Sequence, residues 1–410
     1  MSFDVIVIGG GPAGMMAAGT AGSMGKKVLL IEKNNKLGKK LYITGKGRCN
    51  ITNFTPKEEF IAHITKNPKF LYSSFNNFFN TDLMDFFADL GLKTKIERGG
   101  RVFPVSDKSS DVIKSLEKYL MNNDVTIRLN TKVKSIKTKD GEVEGVELEG
   151  GDVISSSSAV VTTGGLSYPL TGSTGDGYKF AKILGHEITD LKPSLVPLIV
   201  KEDYIKEIQG LSLKNVTIKA SCDGKVLFED TGEMLFTHYG LSGPLILSAS
   251  FFISEKVFNK KKTYIIIDLK PGLTNDELNR RLLKDFDLNK NKYFKNSLDN
   301  LLPQKIIPII INLSGIPGEK EVNQISREER KNLVALLKNM SFEIIGTRPI
   351  SEAIVTSGGV NIKGINPKTM ESKLVRGLFF AGEVLDVDAF TGGYNLQIAF
   401  STGYTAGLKC

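Results

Sequence analysis

Residues 4–14 read Asp4-Val5-Ile6-Val7-Ile8-Gly9-Gly10-Gly11-Pro12-Ala13-Gly14, and this stretch decides the fold. Val5–Ile8 is an unbroken apolar run, as expected of a strand buried on both faces. Gly9, Gly11 and Gly14 follow it in G-x-G-x-x-G spacing. In that pattern the first glycine permits a tight turn, the second lets backbone approach a pyrophosphate, and the third lets a helix pack close to the sheet. Pro12 and Ala13 sit at the mouth of that helix, whose free N–H groups suit phosphate. The helix carries Ala17, Ala18, Ala21 and Gly22, stops at Gly25, and leads to a second strand, Val28-Leu29-Leu30-Ile31, that closes on Glu32. A carboxylate there accepts from ribose hydroxyls and repels a 2′-phosphate, so the dinucleotide is FAD or NAD rather than NADP. The expected fold class is α/β, with a Rossmann-like cofactor domain.

The other end of the chain decides between the two. Gly377-Leu378-Phe379-Phe380-Ala381-Gly382-Glu383 reads as an apolar strand ending in glycine and an acid, and Thr391-Gly392-Gly393-Tyr394-Asn395 precedes a helix. An extended flavin cofactor needs a second contact region of this kind: Glu383 for a ribityl hydroxyl, and the helix N-terminus for the flavin N1–C2=O edge. No second G-x-G-x-x-G on a βαβ unit is present, so an NAD(P)H donor would dock transiently against the flavin, or the donor is another reductant.

Three further strings carry a resemblance. They are Thr44-Gly45-Lys46-Gly47-Arg48-Cys49-Asn50-Ile51-Thr52-Asn53, Thr163-Gly164-Gly165 with Thr171-Gly172-Ser173-Thr174-Gly175-Asp176-Gly177, and Phe236-Thr237-His238-Tyr239-Gly240-Leu241-Ser242-Gly243-Pro244. With Gly9–Gly14, Gly100–Pro104 and Gly382–Leu396, they make the chain resemble the HI0933-like flavoproteins, also called the BaiN or aminoacetone-oxidase-like FAD-binding family, over essentially its whole length. Thr44, where the family often has Ser, and Ala389-Phe390, where a Gly is common, depart from the pattern. The T-G-D-G and A-G-E elements also resemble fumarate-reductase-type flavoproteins. The resemblance implies a discontinuous FAD domain of glutathione-reductase/fumarate-reductase type, 1–190 plus 351–410. Between its halves it implies an inserted β-barrel with a helical subdomain, 191–350. The residues change character at about 191: strands dominate 191–272 and return at 341–350, and 273–340 reads as helical, with helices at Asp276–Phe286, Tyr293–Leu302, Lys305–Ile311 and Arg327–Met340.

The predicted cofactor set is Gly9, Gly11, Pro12, Ala13, Gly14, Glu32, Lys33, Lys40, Gly47, Arg48, Val133, Thr163, Gly164, Gly382, Glu383, Gly393, Tyr394, Asn395 and Leu396. Val133 matches a position where such folds contact adenine through backbone groups. The predicted catalytic set is Cys49, Arg48, His238 and Arg101. Arg48 is read as an anion or substrate clamp, or a ligand of cofactor phosphate. Cys49 is read as a proton donor whose thiol pKa a neighbouring cation lowers, or as a packing residue. His238 is read as a general acid or substrate ligand, and Arg101 as a contact to substrate or the flavin pyrimidine.

Composition bounds the rest. The 410 residues predict two or three domains, and 41% hydrophobic with 24% charged residues excludes wholesale disorder. Cys49, Cys222 and Cys410 have no CxxC partner, and His63, His186 and His238 form no metal-ligating pair, so no metal centre is expected. Without a CxxxxC partner, Cys49 does not support dithiol–disulfide chemistry. Absence of a leader pattern and of a bilayer-length apolar run predicts a soluble cytoplasmic protein with no membrane partner.

The net charge of +9 is uneven: segment 26–48 has eight Lys/Arg against Glu32 alone, and segment 256–305 has twelve against six acids. Such surpluses suit anionic partners. The expected function is an FAD-dependent, NAD(P)H-linked oxidoreductase reducing an electron-poor C=C bond. The resemblance implies either a uridine of large-subunit ribosomal RNA, reduced to dihydrouridine, or a small enone such as a 3-oxo-4-ene steroid. The basic segment 256–305 favours RNA. An amine or aminoacetone oxidase, and a non-catalytic flavin-bearing RNA-binding or redox-sensing protein, are the rival expectations. The sequence carries no signal for oligomeric state.

Overall fold

A computed structural model describes residues 2–410. The chain divides into two compact units, Met1–Pro193 with Ala353–Cys410, and Ser194–Glu352.

The first unit is built on a seven-stranded sheet. Ser2–Ile8 lies at its centre, parallel to Val28–Ile31 on one side (Val5 opposite Val28) and to Val153–Val161 on the other (Val5 opposite Ser158). Thr126–Arg128 extends one edge beyond Val28–Ile31, and Leu378–Phe380 pairs in parallel with Ala159–Val161. The Val133–Lys139/Glu142–Leu148 hairpin completes the sheet through an antiparallel pairing with Val153–Ser155. Val5, Ile6, Val7 and Ile8 are all buried, which is why the strand shows no alternation.

Helix Pro12–Ser23 starts on a proline, whose missing N–H costs nothing at that position. It packs against Tyr394–Lys409 at a separation set by glycine: a β-carbon on Gly403 would lie 2.4 Å from the Ala13 carbonyl oxygen, and one on Gly407 2.5 Å from that of Ala17. Helices Lys57–Ala62, Tyr72–Asn77 and Asn80–Asp89 belong to the same unit, with a short strand, Ile64–Lys66, between the first two. The phenylalanines of this region, including Phe60, Phe75, Phe78, Phe79 and Phe87, are buried in the first unit's core.

The second unit contains a closed six-stranded barrel, ordered Leu198–Val200, Gly240–Ser242, Lys225–Thr237, Ser212–Cys222, Thr263–Asp268 and Met340–Thr347. Helix Pro244–Phe258 contributes Leu245, Ile246, Ala249 and Ile253 to the barrel's core. It interrupts a segment expected to be strand-rich. Helices Asn275–Leu288 and Arg327–Lys338 each begin with a reciprocal capping box, Thr274 with Glu277 and Ser326 with Glu329, each cap worth about 1 kcal/mol. The helix expected over Tyr293–Leu302 is only a one-turn 3₁₀ segment, Phe294–Asn296. No helix among the described residues is long and apolar enough to cross a membrane.

Candidate active site

In the first unit the glycine loop is pinned from two sides. A β-carbon on Gly9 would lie 2.7 Å from the Thr162 carbonyl oxygen, and one on Gly14 1.9 Å from that of Gly9. A β-carbon on Gly11 would meet nothing within 4 Å. The backbone is therefore packed tightly beneath the loop and open at the one glycine over which a pyrophosphate would lie.

Glu32 is buried at the end of its strand. Its Oε2 accepts from Gly10 N at 2.7 Å, and its Oε1 from Asn34 N at 2.8 Å and Asn34 Nδ2 at 2.7 Å. A carboxylate can accept about four hydrogen bonds, which leaves capacity for a ribose hydroxyl. Thr131 N donates to the Glu32 carbonyl at 3.0 Å, which brings the approach to Val133 beside it.

The C-terminal region converges on the same place within this unit. A β-carbon on Gly382 would lie 2.8 Å from the Ala13 methyl. Glu383 Oε2 accepts from Lys40 Nζ at 2.7 Å, and Glu383 Oε1 from Ser167 Oγ at 2.9 Å and Thr356 N at 3.0 Å. Lys40 also donates to Ser167 Oγ at 2.6 Å. Lys33 is held by Asp176 Oδ2 at 2.6 Å and Thr174 Oγ1 at 2.5 Å, so it fastens the T-G-D-G loop to the second strand. Thr163 Oγ1 and Asn50 Oδ1 are buried polar atoms with no hydrogen-bond partner. Gly164 turns beside Thr163 at φ +70°. An open pyrophosphate cradle, spare acceptor capacity at Glu32 and orphaned polar atoms in two of the motif loops fit an extended FAD.

Helix Tyr394–Lys409 is capped by Gly393 at φ +101°. Its first-turn N–H groups, from Tyr394, Asn395 and Leu396, lack intrahelical acceptors. The side chains of Tyr394 and Asn395 are spent elsewhere. The Tyr394 ring stacks on His63 at 4.6 Å, and Asn395 closes the preceding loop, accepting from Ala389 N at 3.0 Å and donating to the Ala389 carbonyl at 2.7 Å. Any contact these residues make to flavin is therefore a backbone one.

Two residues of the predicted catalytic set, Arg48 and Cys49, are engaged within the protein. The Arg48 guanidinium donates to Glu97 Oε1 at 2.5 Å and to Asp107 Oδ1 at 2.6 and 2.9 Å, and lies 4.1 Å over the Phe103 ring. Lys95 completes the group, 2.7 Å from Asp107 Oδ2. Arg48 is thus satisfied by protein carboxylates rather than held ready for substrate or phosphate. Glu97, and then Asp107, raise its pKa above the ordinary arginine value. Cys49 follows, at φ +61°, and is wholly buried. Burial pushes its thiol well above the ordinary range, the reverse of the expected lowering. Gly47, at φ +84°, allows the turn before this pair. Arg101 is exposed, with Nε donating to the Arg98 carbonyl at 3.2 Å.

In the second unit, His238 occupies the tight turn between Lys225–Thr237 and Gly240–Ser242. Thr237 Oγ1 accepts from Gly240 N at 3.1 Å and donates to the Gly240 carbonyl at 3.0 Å, which fixes the turn. The His238 ring is exposed and lies edge-to-face on Tyr239 at 4.8 Å. Arg348 lies 4.5 Å over the Tyr239 ring and forms a two-point ion pair with Glu352, 2.8 and 2.5 Å. Sequence reading missed Tyr239, Arg348 and Glu352 as a group. The i,i+4 spacing of Arg348 and Glu352 was the available signal, but helical spacing alone does not bring them to a hairpin more than a hundred residues upstream. Arg348 holds the Glu352 carboxyl below the usual range, with a smaller effect from His238. His63 packs against Tyr394, and His186 Nε2 lies 2.8 Å from Ser372 Oγ.

A Rossmann sheet with a glycine cradle, a strand-end acid and a second cofactor region at the C-terminus defines an FAD-dependent oxidoreductase. The chain belongs to the HI0933-like family: residues 3–409 match the HI0933-like protein Rossmann domain. It is 31% identical over 404 residues to the 3-dehydro-bile acid delta(4,6)-reductase of Clostridium scindens, covering 98% of this chain and 97% of the relative. It is 32% identical over 402 residues to the ribosomal RNA dihydrouridine synthase of Escherichia coli, covering 98% and 96%. Among solved structures, 3-ketosteroid delta1-dehydrogenase from Sterolibacterium denitrificans superimposes with a TM-score of 0.57 at 13% identity, covering 99% of this chain and 98% of that one. E. coli quinol fumarate reductase gives a TM-score of 0.55 at 16% identity, covering 100% and 69%. At these identities the two structures speak to the fold.

Proposed function

We propose that this protein reduces a carbon–carbon double bond conjugated to a carbonyl, with NAD(P)H as the transient electron donor. The observation that carries the reading is full-length similarity to two relatives whose names describe one chemistry on different molecules. A steroid enone and the uracil ring of uridine both present a C=C bond polarised by a neighbouring C=O. Bound FAD supplies hydride transfer. The hydride adds to the carbon β to the carbonyl, a proton adds at the α carbon, and NAD(P)H is oxidised to NAD(P)⁺.

The chain's own residues then have to bind the cofactor and hold the proton. Glu32 and the Gly9–Gly14 loop bind the adenosine and pyrophosphate portions, and Lys40, Ser167 and Thr356 orient Glu383 towards the ribityl chain. His238 is the proposed proton donor. Its ring nitrogens have no hydrogen-bond partner among the described residues, and Tyr239, braced by Arg348 and Glu352, fixes one edge of the ring. Buried Cys49 is not proposed for this role. Arg101, exposed near the G-R-C-N loop, is a proposed contact for the substrate carbonyl.

The test is anaerobic mixing of NAD(P)H-reduced protein with ribosomal RNA or with a 4-en-3-one steroid. Flavin reoxidation is followed optically, and dihydrouridine or saturated ketone by mass spectrometry. Reoxidation by neither acceptor, with rapid peroxide formation from simple amines in air, would replace this reading with an amine oxidase.

A further inference from the structure

A cleft of about 250 Å³ opens on the barrel unit where strand Ser212–Cys222 parts from strand Thr263–Asp268. The two strands pair from Thr217 opposite Asp268 to Cys222 opposite Thr263, and the residues before Thr217 are free of that ladder. The same residues carry a bulge against Lys225–Thr237, between Leu213 and Val216, with Asn215 at φ +55°. Bulges re-aim side chains, and Lys214 lies within this one. Leu213, Val216, Leu302 and Ile306 give the cleft an apolar wall, and Lys214 and Lys270 supply its charge. No carboxylate lines it.

Three neighbouring cations have partners of their own. Lys338 has Asp268 at 2.5 Å, Arg281 has Asp285 at 2.8 Å, and Lys305 caps the Gln209 carbonyl. Neither Lys214 nor Lys270 has a side-chain partner among the described residues. Lys270 is half-buried, and burial, then Arg281, lowers its pKa. Asp268 Oδ1 accepts from the Lys270 backbone N at 2.8 Å but not from its ammonium, and a partly desolvated ammonium without an acid of its own costs free energy that a bound anion would offset.

The cleft is smaller than the roughly 300–1,000 Å³ of a site that encloses a drug-sized ligand, so it suits one unit of a longer chain. We propose that it is a docking site for a single-stranded RNA segment, with one phosphate on Lys214 and Lys270 and the attached nucleoside against the apolar wall. The choice of RNA rests on the reductase reading above. The cleft also divides the basic segment 256–305. Lys260, Lys261 and Lys262 precede strand Thr263–Asp268, and Lys270 follows it, with the six-residue strand, roughly 20 Å long, between them. Lys270 is therefore set apart from the lysine triplet by the length of that strand.

The experiment is fluorescence anisotropy of the FAD-loaded protein with a fluorescein-labelled oligouridylate, titrated over potassium chloride concentration. Lys214→Gln and Lys270→Gln should each weaken binding and reduce the slope of log K against log salt, and the double variant should reduce it by about 0.7, the single-strand value for one lost phosphate contact. Lys270→Arg should keep the slope. Lys214 is exposed, so its variant reports even if a change at Lys270 perturbs folding. Limiting acetic anhydride followed by peptide mass spectrometry should label Lys270, and oligouridylate should protect it. Wild-type slopes in both Gln variants, or undiminished labelling with RNA bound, overturn the proposal. If the unaltered protein reduces a 4-en-3-one steroid but does not bind oligouridylate, the cleft proposal falls and the reductase reading stands. Loss of slope in the variants with no reduction of either acceptor by the unaltered protein supports the cleft and removes the reductase reading.

Discussion

Gly393 rests against Thr52 so closely that a β-carbon on the glycine would lie 2.3 Å from the Thr52 carbonyl oxygen. This contact joins the cap of the C-terminal helix to the N-terminal G-R-C-N-I-T-N loop. Gly393→Ala combines that overlap with a side chain at φ +101°, where strain alone costs about 1–3 kcal/mol. The expected result is a melting temperature lower by several degrees and a reduced FAD content after purification, both measurable on one preparation. An unchanged melting temperature would show that the helix cap can shift without cost.

Glu32→Ala should weaken FAD retention. It removes a charged acceptor for ribose, worth roughly 1.5–3 kcal/mol or about tenfold to a hundredfold in affinity, and also the 2.7 Å tether to Gly10 N. Fluorescence titration of apoprotein with FAD measures it, and an unaltered dissociation constant would remove Glu32 from the cofactor site.

His238→Ala should slow the reaction of reduced enzyme with its acceptor by about 10²–10⁴-fold, the usual range for loss of a general acid. FAD content and the rate of reduction by NAD(P)H should stay as in the wild type. Glu352→Gln, which leaves Arg348 without its acid partner, should slow the same step by a smaller factor and shift its pH profile. A normal acceptor rate in His238→Ala would move the search for the donor elsewhere.

Cys49→Ser should change stability more than rate. A hydroxyl left unsatisfied in that buried position costs about 1–3 kcal/mol, whereas acceptor turnover should remain within a few-fold of wild type. A hundredfold loss of turnover with unchanged flavin binding would restore Cys49 as a proton donor.

Arg48→Ala should destabilise in a pH-dependent way. Arg48 lowers the Glu97 pKa, and Lys95 followed by Arg48 lowers that of Asp107. A depressed folded-state pKa contributes stability that is complete above the unfolded carboxylate value and is lost as pH falls through the folded value. The difference between wild type and variant in urea unfolding should therefore be largest near neutral pH, shrink on acidification below the normal carboxylate range, and diminish with added salt.

The βαβ unit was legible because each residue in it serves a local requirement. Apolar Val5–Ile8, the glycine spacing, Pro12 and the strand-end Glu32 all act within thirty residues of one another. The A-G-E element was legible for the same reason. Helix Pro244–Phe258 was not: its residues are apolar on nearly all sides, so it lacks the amphipathic period, although Gly243-Pro244 marks its start. The partners of Arg48 were also hidden. Glu97 and Asp107 lie about fifty and sixty residues away, and the antiparallel pairings of Arg101–Pro104 with Thr94–Glu97 and with Thr52–Asn53 bring that region beside the loop. The acid partners of Lys33 and Lys40, both named in the predicted cofactor set, were hidden too, because each comes from a distant loop.

The packing of helix Pro12–Ser23 against Tyr394–Lys409 through Gly403 and Gly407 sets an order of events during synthesis. The unit formed by Ser194–Glu352 is continuous in sequence, so it can close its barrel while the following residues are still being added. The cofactor unit cannot: its central sheet waits for Leu378–Phe380, and its first helix waits for the helix that covers it. Until then the Gly9–Gly14 loop has no Gly382 beside it. FAD capture is thus tied to a late stage of chain elongation, and a ribosome stalled between the two units should carry a folded barrel beside a cofactor half that does not retain flavin.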